Sequence, residues 1–355
     1  MPSEMIDWVV AEWIASHVAG TGNAPEPQVD LEAIVSDART RVIAYTGLVP
    51  TGPPVPPEAV DRREWVAANI ASTRALMDPL LNRMSGQLGP GKPAAQMWLA
   101  TVSSTEIGVL LGYMGQRVLG QYELVLLREH AGEQPPRLLF VMPNLAQSIR
   151  RFKADEQEFI TWVALHEVTH AVQFGGVPWL QDYLADLIRE LMGSVEERMS
   201  ARRRLRIPDR EAIERFGRAA ERVGRAALRA DLLGMVASAP EQAVIDQTQA
   251  VMAVIEGHAE HVMDAVAPEL LPSLPALREA LDERRKVQSP LGRLVSRLLG
   301  LEMKMKQYER GKIFCDAIDR HAGAKAFERL FSGSEFLPDL AEIDDPSAWL
   351  SRVDL

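Results

Sequence analysis

The sequence predicts a mainly α-helical protein with a small β-sheet beside one buried helix, and three features of its 355 residues carry that expectation. Apolar residues recur near every 3.6 positions over most of the chain. Strand signals are few and short. The segment from Phe159 to Phe174 is apolar nearly throughout, and its polar residues gather around His166-Glu167-Val168-Thr169-His170. The expected organisation is a single domain over 1–355, with a helical N-terminal portion over about 1–120 and a core bearing the motif over about 121–355.

Trp8, Val9, Trp13 and Ile14 mark a first amphipathic helix, and Leu31 to Tyr45 a second. The Pro-rich run TGPPVPPEAV cannot continue a helix. It leads into a long helix through Trp65, Ile70, Leu76 and Leu80, ended by the break GQLGPGKPAA, which reads as a loop. Ile107 to Leu119 holds Gly108 and Gly112 four apart but also Gln116 and Arg117, so it reads as a closely packed helix and not a membrane span. Leu138 to Met142 is the best strand, and Tyr122 to Leu127 is its partner. Pro135 and Pro136 precede that strand and Pro143 follows it, which suits an edge position.

Composition excludes several classes. Apolar residues at 47% and charged residues at 25% are ordinary for a protein with a sizeable core. A formal charge of -10 argues against nucleic acid or an anionic membrane as the main partner. The basic run Arg198, Arg202, Arg203, Arg204 and Arg206 reads as a solvated helix end. Cys315 is the only cysteine, so no internal disulfide forms and any metal must be held by histidine and carboxylate. The first residues carry acids where a signal peptide needs bases, and the expected location is the cytoplasm.

Residues four apart lie on one face of a helix, so His166 and His170 can aim two imidazole nitrogens at one point. Phe159 and Val163 continue that face, which turns the histidines inward. Glu167 follows about 100° further around. In an HExxH helix such a glutamate stays off the metal and takes a proton from the attacking water. The competing reading is a pair of core histidines with Glu167 as their buried partner. The longer pattern HExxHxxGxxH is absent, because Gln173 and Gly176 stand where Gly and His are needed.

A third ligand must come from elsewhere, and VMAVIEGHAEHVMDAV supplies candidates. On a helix, Ile255, Ala259, Val262 and Val266 form its apolar centre, with Glu256 on the flank. A lone carboxylate there is costly to bury unless paired or bound to metal. Glu260 lies one turn later and could accept a hydrogen bond from the far nitrogen of a ligand histidine. This spacing is similar to that of gluzincins, with Glu260 in place of their usual aspartate. His258 and Glu260 stay open as alternative ligands. Tyr308 is the candidate donor to a developing oxyanion, with Tyr113, Tyr122 and Tyr183 as rivals.

The chain resembles a bacterial, mainly actinobacterial, family of zincin-like hydrolases. The resemblance runs through DWVVAEWIASHVAG, VDRREWVAANIASTRALMDPLL, GQRVLGQYELVL, LLFVMPNL, HEVTHAVQFGGVPWL, EGHAEHVMDAV, QYERGKIF and DDPSAWLSRV. It implies a zincin-like core in which His166, His170 and a residue of EGHAE bind zinc, with Glu167 as general base. It also implies that Leu138 to Met142 runs along the cleft, where an extended peptide-like substrate would pair. The expected function is a zinc-dependent metallohydrolase acting as a peptidase or amidohydrolase. The alternative is a non-catalytic, zinc-supported module that binds a peptide or protein, which would gain if His258 closed the site as a fourth ligand. Manganese, cobalt or iron could occupy the same donors.

Overall fold

The computed structural model describes residues 6–20, 29–87, 93–123, 135–204, 239–272 and 301–355. Among the described residues there are 12 α-helices and a three-stranded sheet. Helix α1 (Trp8–Ala19) is opened by Asp7, whose carboxylate accepts the Val10 N–H, and it lies along α4 (Pro93–Gly115). Its buried face differs from the expected one. Trp8, Ala11, Ala15 and Ala19 point inward, whereas Val9 and Trp13 are 79% and 61% exposed. The cause is the closeness of α4. A Cβ on Gly108 or Gly112 would stand 2.7 or 2.6 Å from the carbonyl oxygen of Ala11 or Ala15, so only small residues fit this seam.

Helix α2 (Leu31–Thr46) begins at Asp30, which accepts the Ala33 N–H, and ends at Gly47 with φ of 69°. Its Ile34, Val35, Ala38 and Val42 are buried in the cluster that also holds Phe159, Val163 and Val168 of α6 (Glu156–Gly176). Each such large side chain contributes about 1.5–3 kcal/mol on full burial. The portion before residue 120 therefore helps to build the core around the motif helix.

The sheet comprises β1 (Pro57–Val60), β2 (Gly120–Glu123) and β3 (Arg137–Val141) in the order β1-β3-β2. β1 runs parallel to β3 and β2 antiparallel to it. β3 is thus the central strand, which corrects the edge assignment and removes it as a surface for substrate pairing. Two facts explain this. The Pro-rich run ends in a strand that covers one side of β3. Pro143 lies in the first turn of α5 (Met142–Phe152), where a missing N–H leaves nothing unpaired. Leu138 and Phe140 enter the α2–α6 core, while Leu139 and Val141 pack with Trp65 of α3 (Arg62–Gln87). A strand buried on both faces accounts for the unbroken apolar run.

Helix α7 (Pro178–Arg204), α8 (Ala239–Val266) and α9 (Leu301–Ala322) follow, with short helices α10 (Ala324–Leu330), α11 (Leu340–Asp344) and α12 (Pro346–Arg352). α8 packs against α6, α7 and α9. A second core joins Leu180, Val251, Ile255, Phe314 and Trp349. The tail of the chain is held there, with the Trp349 indole donating to the Phe336 carbonyl at 2.7 Å. Residues 88–92 of the Gly- and Pro-rich break, residues 124–127 of the expected strand, and the side chains of the basic run lie outside the described residues. No helix among the described residues is long and apolar enough to cross a membrane.

Candidate metal centre

Helix α6 carries the motif. Asp155 caps it by accepting the Glu158 N–H, and Glu156 and Glu158 place negative charge in its first turn, where the helix dipole favours it. The helix closes at Gly176, where the chain turns into Pro178 of α7. Across from the motif lies α8, whose Glu256 faces both histidines. Its Oε2 stands 3.6 Å from His166 Nε2 and 3.7 Å from His170 Nε2, and the two imidazole nitrogens are 3.2 Å apart. The rings meet edge to face at an interplanar angle of 87°. Among the described residues these three form the one group able to hold a metal ion, with donor atoms within 4.8 Å of one another.

The donor set fits zinc. Ligand bonds of about 2.0–2.1 Å in a tetrahedral site separate donors by roughly 3.3 Å, close to the three spacings seen here. The electrostatics of the metal-free state agree with such a role. Burial disfavours the charged forms, yet contact between Glu256 and His170 overrides it. The hydrogen bond and charge of His170, with the charge of His166, hold the Glu256 carboxyl down at about 2. Glu256 in turn raises His170 to about 9, with smaller help from Glu167 and Gln173. The Glu256 carboxylate and the His170 imidazolium already attract one another at the point where a dication would sit, so metal binding there would displace a proton from His170.

Glu167 is placed apart from the donors. It is 8% exposed, and its Oε2 accepts the backbone N–H of Tyr122 in β2 at 2.8 Å. Desolvation pushes its pKa up to about 7, partly offset by the charge of His170 and the Tyr122 hydrogen bond. The strand whose backbone meets Glu167 is therefore β2. Gly120 permits that approach, since a Cβ there would lie 2.7 Å from Glu167 Cγ.

The other candidates are placed as follows. His258 is buried outside the donor cluster, its ring edge-on to Phe327 and Phe331 at 5.0 Å each. Its Nδ1 contacts Gln173 Nε2 at 2.8 Å. The far nitrogen of His170 meets Gln173 Oε1 at 2.9 Å, so for that histidine the hydrogen-bond partner is Gln173. Glu260 is half-buried on α8. Tyr308 belongs to α9, but its side chain lies outside the described residues. Of its rivals, Tyr183 has its hydroxyl on Gln247, Tyr113 has the Arg117 guanidinium over its ring, and Tyr122 stacks on Phe174. Gln173 and Gly120 were not singled out as site residues by sequence reasoning. For Gln173 a signal existed, because an amide three residues after His170 shares its buried helix face.

A family model described as zincin-like metallopeptidase matches residues 6–350. The chain belongs to this family. Membership of the zincin-like metallopeptidases agrees with the mainly helical architecture and small sheet. Among solved structures the zincin-like chain is similar to a crystal structure from Chloroflexus aurantiacus described as "a putative hydrolase with a novel fold". The two share 28% identity with a TM-score of 0.67, over 98% of this chain and 99% of the other. No curated protein matches the chain.

Proposed function

We propose that the chain is a zinc-dependent peptidase or amidohydrolase acting on a peptide-like bond. One observation carries the reading: three donors converge on a point while a buried carboxylate with a pKa near neutrality is held beside them on a separate support. His166, His170 and Glu256 would hold the ion. Zinc in that position supplies Lewis-acid activation of water and of the scissile carbonyl. Three protein ligands leave a coordination position open, as catalytic sites need and structural sites do not.

Glu167 takes a proton from the attacking water and returns it to the leaving nitrogen. Tyr122 N–H holds one of its oxygens, and the other, with no hydrogen bond among the described residues, works as the base. Tyr308 is the proposed donor to the oxyanion, and Glu260 is proposed to act behind the ligands.

Metal content tests the site. Protein purified without a metal-affinity tag should carry about one zinc per chain. Glu256→Ala should lose most of it, since the remaining two histidines cannot complete the site. Full zinc retention in that variant would remove Glu256 from the ligand set.

A second expectation concerns the close approach of β2. Gly120→Ala should leave zinc content at the wild-type level and lower kcat by roughly 10- to 100-fold. The added methyl displaces the Glu167 carboxylate, and a shift near 1 Å in a reacting group costs up to about 100-fold. Unchanged turnover of peptide substrates in Gly120→Ala would show that the base tolerates the displacement.

A further inference from the structure

Behind the donors, a chain of hydrogen bonds leads from the motif helix to α8. Gln173 Nε2 contacts the carbonyl oxygen of Ile255 at 3.1 Å and His258 Nδ1 at 2.8 Å, while Gln173 Oε1 faces His170 Nδ1 at 2.9 Å. Gln173 has no exposed surface, and His258 is 1% exposed. The direction of every bond follows from one group. A backbone carbonyl can only accept, so the amide atom beside Ile255 must be nitrogen. Reversing the amide would set oxygen against oxygen in a site with no water access.

With the amide so oriented, Oε1 can only accept, and His170 Nδ1 must carry a proton. The remaining amide hydrogen points at His258 Nδ1, which must accept it, so His258 is neutral with its proton on Nε2. The aromatic setting favours that state, since Phe327 and Phe331 surround the ring.

We infer that Gln173 is a positioning residue, oriented by the Ile255 carbonyl and His258, that locks His170 in the Nδ1–H tautomer and so presents its Nε2 lone pair to the metal. This rests on the reading of His166, His170 and Glu256 as ligands. The anchor precedes Glu256 by one residue, so α8 supplies a ligand and sets the tautomer of another. An uncharged amide performs here the task that a carboxylate commonly performs behind a ligand histidine.

The test uses full-length protein with nitrogen-15 in its histidines, together with zinc titration against a competing chelator. In metal-free wild type, at a pH where imidazoles are neutral, NMR should show His170 as the Nδ1–H tautomer. Gln173→Leu should show a tautomer mixture and bind zinc about 10- to 100-fold more weakly, with an unchanged circular-dichroism spectrum.

His258→Leu leaves the amide held by Ile255 alone and should weaken zinc less than Gln173→Leu does. A single Nδ1–H tautomer in Gln173→Leu, or zinc affinity equal to wild type, overturns the inference. Wild type that binds no zinc yet keeps the locked tautomer would instead overturn the ligand reading and leave the relay standing.

Discussion

Glu167→Gln should keep zinc at the wild-type level and lower kcat by about 100- to 10,000-fold, the range a positioned general base contributes. Gln retains a carbonyl oxygen to accept the Tyr122 N–H, so the local fold survives while the proton acceptor is lost. The pH profile gives an independent check. Burial raises the Glu167 pKa to about 7 in the metal-free protein, and a bound dication would lower it. Its base form prevails above the pKa, so kcat/KM should fall as the pH drops through a limb at or below pH 7. The residual activity of Glu167→Gln should lack that limb. Full activity in the variant, with zinc bound, would exclude Glu167 as the base and leave only a role in packing against β2.

The motif helix was legible because its information is local. His166 and His170 are four apart, and helical geometry alone puts them on one face. The place of Glu256 opposite the histidines was legible by a weaker route, as a carboxylate on the flank of an apolar helix that needs a partner. Its partners come from a distant part of the chain, so spacing left His258 and Glu260 open beside it. The position of β3 was misread for a related reason. Pro143 marks a boundary, but the sequence does not say whether it ends an edge strand or starts a helix, and the covering strand comes from residues 57–60. On α1 the apolar residues were recognised, yet which of them face inward depends on Gly108 and Gly112 of another helix.

The contact between α8 and α9 is the strongest case of this kind, and it predicts a large effect on stability. A Cβ on Gly257 would collide with the backbone of Gly311 and Lys312, and one on Gly311 with the carbonyl of Ala253. The obstacles are backbone atoms inside helices, which cannot turn away as a side chain can. Overpacking costs about 1–3 kcal/mol, and more where nothing can yield. Alanine in a helix regains about 1 kcal/mol over glycine. The clash therefore wins, and Gly311→Ala should lose about 2 kcal/mol or more in urea denaturation, with Gly257→Ala alike. Gly193→Ala in α7 is the contrast, because nothing lies within 4 Å of its added methyl, and it should be neutral or stabilising. Gly257 adjoins Glu256, so the folded fraction of Gly257→Ala should also bind zinc less tightly than wild type. A Gly311→Ala variant as stable as Gly193→Ala would mean that α8 and α9 are not in near-backbone contact, and that Glu256 is held toward the histidines by other means.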